Sequence, residues 1–565
     1  MRTISAWIAR SALALCPLLL GLPPSNAAEF YTNWAAAHLS GIPAQSGPLA
    51  DPDHDGEANL VEFAFGTDPR VADDFHGLIF PRWATTNGVF GVELLERAGH
   101  QPGAQIDPCL SANLTNWFRP WWQRSTTNSQ PSDPAGSVRE FFSTVLPPRT
   151  NVWFARASVQ LIEGGPENAT YYVATSGSDT NKGTNITQPF LTLGKAAGLA
   201  TNGNLVYLRG GTYPVSTKIS LTKSGAAGQP IRIRAYPGET PVLDFSSQGT
   251  GGATYDGISI SGNYYWLYGL VITNAGHNSI MISGSNNIVE RCVSLGARNS
   301  GFHITGGGPP FPATNLFLNC DSVRSYDSPV GGNADGFSAK WSLGPGNEFS
   351  GCRAWENSDD NWDLWEGSSP VLITNCWAFR AGTNVFWDAA TNTAFNGNGN
   401  GFKLGGAGTN AAHRLVHCLS FGNMAWGVDQ NNNSAGQTVD QNTVWNNRSG
   451  AINLNHLGSQ YGVLQSSHVV RNNAAIGTVS IGGTATYPSI QISNSWDVLP
   501  DLKTNDFLST DYTWALGPRR DDGGLPETPF LRPVPNGRLV DKGSNLGEPF
   551  QGKAPDLGAF ETPAW

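Results

Sequence analysis

Between Asn286 and Val498 the chain keeps restarting. The segments NNIVERCVSLG, TNLFLNCDSVRS, GNEFSGCRAWEN, PVLITNCWAFRAG, HRLVHCLSFGN, QTVDQNTVWNN, SSHVVRNNAAIG and SIQISNSWDV align on one small residue each: Cys292, Cys320, Cys352, Cys376, Cys418, Asn442, Asn472 and Ser495. The intervals are 28, 32, 24, 42, 24, 30 and 23 residues. A repeat of that length, built on short strands with no helical period, predicts a parallel β-helix. A coil of short strands buries only one face of each, so coils must stack. A small residue recurring at one corner then forms a ladder, and its Asn members can satisfy backbone groups that the turn leaves unpaired. The long interval between Cys376 and Cys418 implies a loop of roughly 15 residues around FWDAATNTAFNG, and protruding loops often carry function.

A second strand of each coil aligns as GFHIT, GFSAK, NWDLW, GFKLG, GVDQN and AINLN, whose third residues are His303, Ser338, Asp363, Lys403, Asp429 and Asn453. Neighbouring coils of a parallel sheet lie about 4.8 Å apart. Asp363 and Lys403 are therefore expected side by side, with Asp335 one coil below Asp359 and Asp360, the whole set within roughly 10 Å. Four carboxylates from several segments suit Ca²⁺, which takes six to eight oxygens; the lack of His and Cys in the cluster disfavours zinc. Without a cation they would repel one another and raise one another's pKa values. Lys403 is the candidate base. A nearby cation would lower its pKa and the carboxylates would raise it, so the sign stays open. The plainer readings are Asp/Asn-rich turns and a lysine in a surface ion pair. Asp429 either orients Lys403 or is solvated. Arg380 and Arg448 are candidates for pairing with substrate carboxylates, or for ordinary surface ion pairs.

The stretches NADGFSAK, GCRAWENSDDNWDLWE and GNGNGFKLGG resemble the motifs of polysaccharide lyase family nine, the right-handed parallel β-helix pectate lyases, over roughly residues 170–480. The resemblance implies Ca²⁺ at Asp335, Asp359, Asp360 and Asp363, and Lys403 removing the C5 proton of galacturonate. Asn361 stands where the family pattern has Gly. The implied reaction is β-elimination across C4–C5, anti or syn, on pectate (polygalacturonate), with another uronate polymer as the alternative substrate. A glycoside hydrolase using Asp359, Asp360 and Asp363 as acid and base is a rival reading. A non-catalytic polysaccharide-binding β-helix protein is another.

The rest of the chain sets the context. Residues 1–27 carry Arg2, Arg10 and an apolar run from Ala12 to Leu22, then small residues. That predicts a signal peptide cleaved after Ala27 and a secreted or periplasmic protein with no membrane span. Its removal takes away two arginines and no acid, moving the formal charge from −10 to −12. No basic stripe is left for nucleic acid. In residues 28–75, Asp51, Asp53, Asp55, Glu57, Asn59 and Glu62 have the spacing of an EF-hand-like calcium loop, with Gly56 at its sharp turn. Residues 76–162 alternate in short segments split by Pro, Gly, Ser and Asn, and read as a small β-sandwich-like accessory domain. Residues 168–565 form the β-helix domain, with the stretch after about 500 as an irregular strap. Six cysteines follow the leader, five of them at repeat positions, which favours stacked buried thiols over a disulfide framework. The fold class is all-β, and a monomer is expected.

Overall fold

The computed structural model describes residues 168–562 apart from 384–393, 500 and 521–522, the backbones of six strands between residues 80 and 161, and Leu39, Pro52 and Arg70. The expected leader, the expected calcium-loop ligands Asp51, Asp53, Asp55, Glu57, Asn59 and Glu62, and most of the expected loop after Cys376 lie outside the described residues.

The chain divides into two compact units. One comprises residues 1–167 with 517–522 and 526–528; the other comprises 168–516, 523–525 and 529–565. In the first, Phe80–Ala84, Val89–Arg97, Ser137–Val145 and Gln123–Thr127 form an antiparallel sheet in that order, and Ala104–Ser111 pairs antiparallel with Phe154–Leu161.

The second unit is a parallel β-helix whose walls are three sheets of 12, 10 and 10 strands. Strands of two to five residues alternate inward apolar and outward polar positions, as in Ile231–Ala235, where residues 231, 233 and 235 are buried and those between are not. Inward residues of one coil stack on those of the next. Phe302, Phe337, Trp362 and Phe402 form one such column, with successive ring centroids 5.0, 4.7 and 4.9 Å apart. Each fully buried side chain of this size contributes about 2–3 kcal/mol, so the column fixes the vertical register of the sheet behind the candidate site. The short helix Leu193–Leu199, N-capped by the Thr192 side chain, buries Leu193, Ala196 and Ala197 against the first coil.

Two side-chain ladders close the corners. In one, the backbone N–H of Cys320, Cys352 and Cys376 each donates to the Sγ of the next cysteine, Cys352, Cys376 and Cys418, at 3.3–3.5 Å. Cys418 N–H then donates to Asn442 Oδ1, Asn442 N–H to Asn473 Oδ1, and Asn473 N–H to Asn494 Oδ1. All five cysteines of the ladder are buried free thiols, as the repeat predicted. The last two rungs correct the sequence alignment. Strand pairing of Val439 with Val470 and of Val470 with Gln491 puts Asn473 and Asn494 on the ladder, not Asn472 and Ser495. Asn472 instead takes the left-handed turn position before the rung (φ 56°), like Asn375 and His417 in earlier coils (φ 51° and 54°). The second ladder, at the entrance to the 12-stranded sheet, runs Asn287, Asn315, Asn347, Val371, His413, Gln437, His468, each polar side chain accepting the N–H of the rung before it.

After the last coil the chain returns as the expected strap. Phe507, Phe530, Leu531, Leu539 and Leu557 bury against Trp377, Phe379, Leu419 and Phe421 on the outer face of one 10-stranded sheet. The other 10-stranded sheet is left with the polar outer face that carries the candidate site.

Candidate active site

Five successive strands of that sheet, Phe337–Trp341, Trp362–Asp363, Phe402–Lys403, Trp426–Asp429 and Gly450–Leu454, pair in parallel. Their register puts Ser338, Asp363, Lys403, Asp429 and Asn453 in one outward row, which His303 on the preceding strand Phe302–Gly306 continues, as the alignment of the second strand predicted. Two residues before each inward aromatic lies a second polar column, in which Ser300, Asp335, Asp360 and Asn400 follow one another. Because the aromatic column locks the strands, these side chains meet at the corner before the sheet.

There Asp335, Asp359, Asp360 and Asp363, all buried, bring one carboxylate oxygen each to within 4.8 Å of one another. Neighbouring amides aim the rest. Asp359 Oδ1 accepts from Asn398 N (2.6 Å), Asp360 Oδ1 from Asn400 N and Nδ2 (2.7 and 2.9 Å), and Asp363 Oδ1 from Trp365 N (2.9 Å). Two lysines enter the cluster. Lys403 Nζ lies 3.1 Å from Asp360 Oδ2 and 3.3 Å from Asp363 Oδ2. Lys340 Nζ bridges Asp335 Oδ2 (2.8 Å) and Asp363 Oδ2 (2.7 Å).

The electrostatics follow from this crowding. Burial drives the Asp335 carboxyl up to about 7, with Asp363 and Asp360 adding to the shift and Lys340 opposing it. Burial and then Asp360 push Asp359 well above the carboxylate range. Burial also raises Asp360, against the pull of Lys403. Asp363 is the exception: burial acts upward, but Lys340 and Lys403 together outweigh it and hold the group below its ordinary value. Burial acts to lower Lys403, and the four carboxylates reverse that, raising its pKa above the ordinary lysine value. In this arrangement Lys403 is an ammonium.

The cluster fits a hard divalent cation. It offers oxygen donors only. Two ligands about 2.4 Å from one Ca²⁺ can lie at most about 4.8 Å apart, and that is the span of these oxygens. Asp335 Oδ1 is buried with no hydrogen-bond partner among the described residues. With all four carboxyls ionised, they would carry two negative charges beyond the two ammoniums, which a divalent cation would balance.

The other expected residues are placed differently. Asp429, read from sequence as orienting Lys403 or as solvated, is buried beside Lys403 in the register; its carboxylate takes His456 Nδ1 at 3.0 Å to each oxygen, and Asn453 Nδ2 at 3.2 Å. Arg380 sits in the corner after the neighbouring sheet, paired with Glu356 (3.1 Å) and with Tyr512 Oη (3.1 Å), and is not brought into the carboxylate cluster. Arg448 is exposed, in the turn that leads into Gly450–Leu454. Lys340 and His456 are site residues that the sequence reading passed over. Lys340 closes the quoted motif NADGFSAK, two positions after Ser338, so strand alternation alone puts it on the outer face. Beyond it Trp341, 43% exposed, meets the rings of His303 (5.7 Å) and Trp365 (6.2 Å) edge-on.

Comparison with known proteins agrees with this architecture. A family model described as Pel9A-like, right handed beta helix region, matches residues 171–473. Pectate lyase L of Dickeya chrysanthemi is 40% identical over 426 residues, which cover 73% of this chain and 95% of the relative. Pectate lyase PEL9 of Emericella nidulans is 31% identical, over 65% of this chain and 92% of its own. Among solved structures, the crystal structure of pectate lyase Pel9A superposes with a TM-score of 0.61 at 37% identity, covering 69% of this chain and 96% of that one. A rhamnogalacturonan lyase superposes with a TM-score of 0.56 at 27% identity, covering 65% and 96%.

Proposed function

The chain belongs to the Pel9A-like right-handed β-helix family and is a polysaccharide lyase, and from that premise we propose that it is a secreted, Ca²⁺-dependent pectate lyase in which Lys403 is the base. The observation that carries this reading is the placement of one lysine in register with Asp363 and within 3.1 Å of Asp360, at the edge of an all-oxygen cluster. Asp335, Asp359, Asp360 and Asp363 would hold the cation. A Ca²⁺ held by them would supply positive charge that offsets the carboxylates keeping Lys403 protonated and that makes the C5 proton of a nearby uronate more acidic. Lys403 Nζ, as the free amine, takes that proton. The C4–O4 bond breaks, its electron pair leaves on O4, which takes a proton from water, and the C4=C5 double bond forms. Asp363 shares Lys403 with Asp360 and so fixes where Nζ points. The leader at residues 1–27 supports export, and the names of the relatives support pectate.

The test is release of C4–C5-unsaturated uronate from polygalacturonate, followed by its ultraviolet absorbance with and without Ca²⁺. Lys403→Ala should lower kcat on the order of 10²–10⁴-fold and leave Ca²⁺ affinity, read by calorimetry, undiminished. Asp360→Ala should weaken Ca²⁺ binding. Loss of metal in Lys403→Ala would contradict the assigned role. Glu62→Ala separates the cluster from the candidate calcium loop, because chelation acts on both. The rhamnogalacturonan lyase neighbour supports a second substrate reading; turnover of rhamnogalacturonan but not of polygalacturonate would select it.

A further inference from the structure

We propose that His456, oriented by Asp429, is a substrate-binding residue of the groove, its Nε2–H pairing with the carboxylate of a uronate unit next to the one that Lys403 deprotonates. The inference rests on the uronate-lyase reading and adds a residue to it.

Three observations carry it. The first is position: Asp429 pairs directly with Lys403 in the sheet, one coil of about 4.8 Å further along, and His456 lies on Asp429. The second is preorganisation. Both Asp429 oxygens take Nδ1 at 3.0 Å, Gln430 Oε1 accepts His456 N–H at 3.1 Å, and His456 O accepts Asn432 N–H at 2.6 Å. With Nδ1 engaged and the backbone tied at both ends, Nε2 is the ring nitrogen left to meet a ligand. The third is the contrast in exposure: the Asp429 side chain is 5% exposed and that of His456 is 43%. A buried anion behind an accessible imidazole is an arrangement that offers a charge-assisted donor to solvent. The site's two lysines are already engaged by carboxylates, and a chain of formal charge −10 needs a local donor to receive an anionic polymer.

Among the described residues Asp429 is the charged group that His456 contacts; its hydrogen-bond partners Gln430 and Asn432 are neutral, as is Asn453, which donates to Asp429. The hydrogen bond to Asp429 raises the imidazole pKa, burial opposing it. Sugar affinity should therefore be full below that pKa and fall as pH rises through it.

The experiment is calorimetric titration of full-length, Ca²⁺-loaded Lys403→Ala protein with trigalacturonate, with and without His456→Gln, from about pH 6 to about pH 9. Added His456→Gln should weaken binding at least fivefold at the acid end and remove the pH step. Asp429→Asn should move that step to lower pH. In the active enzyme His456→Gln should raise KM at least fivefold, with the larger part of the loss in KM and not in kcat. Unchanged affinity and an unchanged pH step would overturn the inference while leaving the lyase reading intact. A fall in kcat at constant KM would also overturn it, since His456 would then serve the reacting oxygen and not the neighbouring sugar. Failure of the parent protein to bind trigalacturonate, with no turnover of polygalacturonate by the wild type, would sink the substrate reading and this inference together.

Discussion

At the scale of single residues the site is a problem in charge balance. Lys340 holds Asp335 and Asp363 together by direct contacts of 2.8 and 2.7 Å, and its own pKa lies above the lysine value because those two carboxylates outweigh its burial. Removing one partner of a buried ion network strands the charge that remains, at a cost of about 3–5 kcal/mol. Lys340→Met should thus lower the stability of chelator-treated protein by about 3 kcal/mol, and added Ca²⁺ should recover most of the loss; a urea titration with and without Ca²⁺ checks both. The four aspartates were legible because adjacent carboxylates in Asn/Gly-rich turns are conspicuous, and because the repeat gave their register. Lys340 was not, since nothing in the sequence alone says that its side chain turns toward Asp363. His456 was hidden for a different reason: it stands three residues beyond its aligned strand position and folds back to Asp429.

At the scale of elements, the ladders explain why so irregular a sequence stacks. Each rung gives a buried backbone N–H an acceptor from the next coil, and an unmet buried donor would cost about 1–3 kcal/mol. Sulfur accepts at Cys352, Cys376 and Cys418 and amide oxygen in the later coils, so the recurring cysteines reported register, not cross-linking. Register was readable wherever the rung was a lone Cys. It slipped by one at Asn472 and Asn473, where two identical residues compete and only strand pairing decides. The other ladder uses neutral imidazoles: His413 and His468 accept backbone N–H through Nδ1, and burial lowers their pKa values to about 3 and about 4. Their contribution is complete above the ordinary histidine value of 6.5 and is lost as pH falls toward those values. Stability should drop by about 1 kcal/mol per pH unit for each histidine in that window. Urea midpoints measured from about pH 7 to about pH 4.5 should fall less steeply in His413→Asn/His468→Asn, because Asn fills the same ladder position in other coils.

At the scale of the molecule, the described chemistry lies wholly in the unit that begins at residue 168, and the family match begins at Tyr171. A chain starting at Asn168 should fold and cleave soluble polygalacturonate with kcat/KM within about threefold of the full chain, a change near the 0.5 kcal/mol typical of distant, independent parts; the same absorbance assay checks it. The β-helix was legible here because stacking imposes a period on the sequence, whereas the long excursion after Cys376 has no period to read. Stacking has a further consequence. Strand pairing in this unit joins each coil to the coil before and the coil after it, and the outward row from Ser338 to Asn453 occupies five coils in a row. Lineages can gain or shed whole coils at either end of that block and pass the catalytic chemistry on unchanged. A coil duplicated inside it would part Lys403 from Asp363 by another 4.8 Å or so and end the line. Heredity can therefore vary the number of outer coils while treating those five as one indivisible unit.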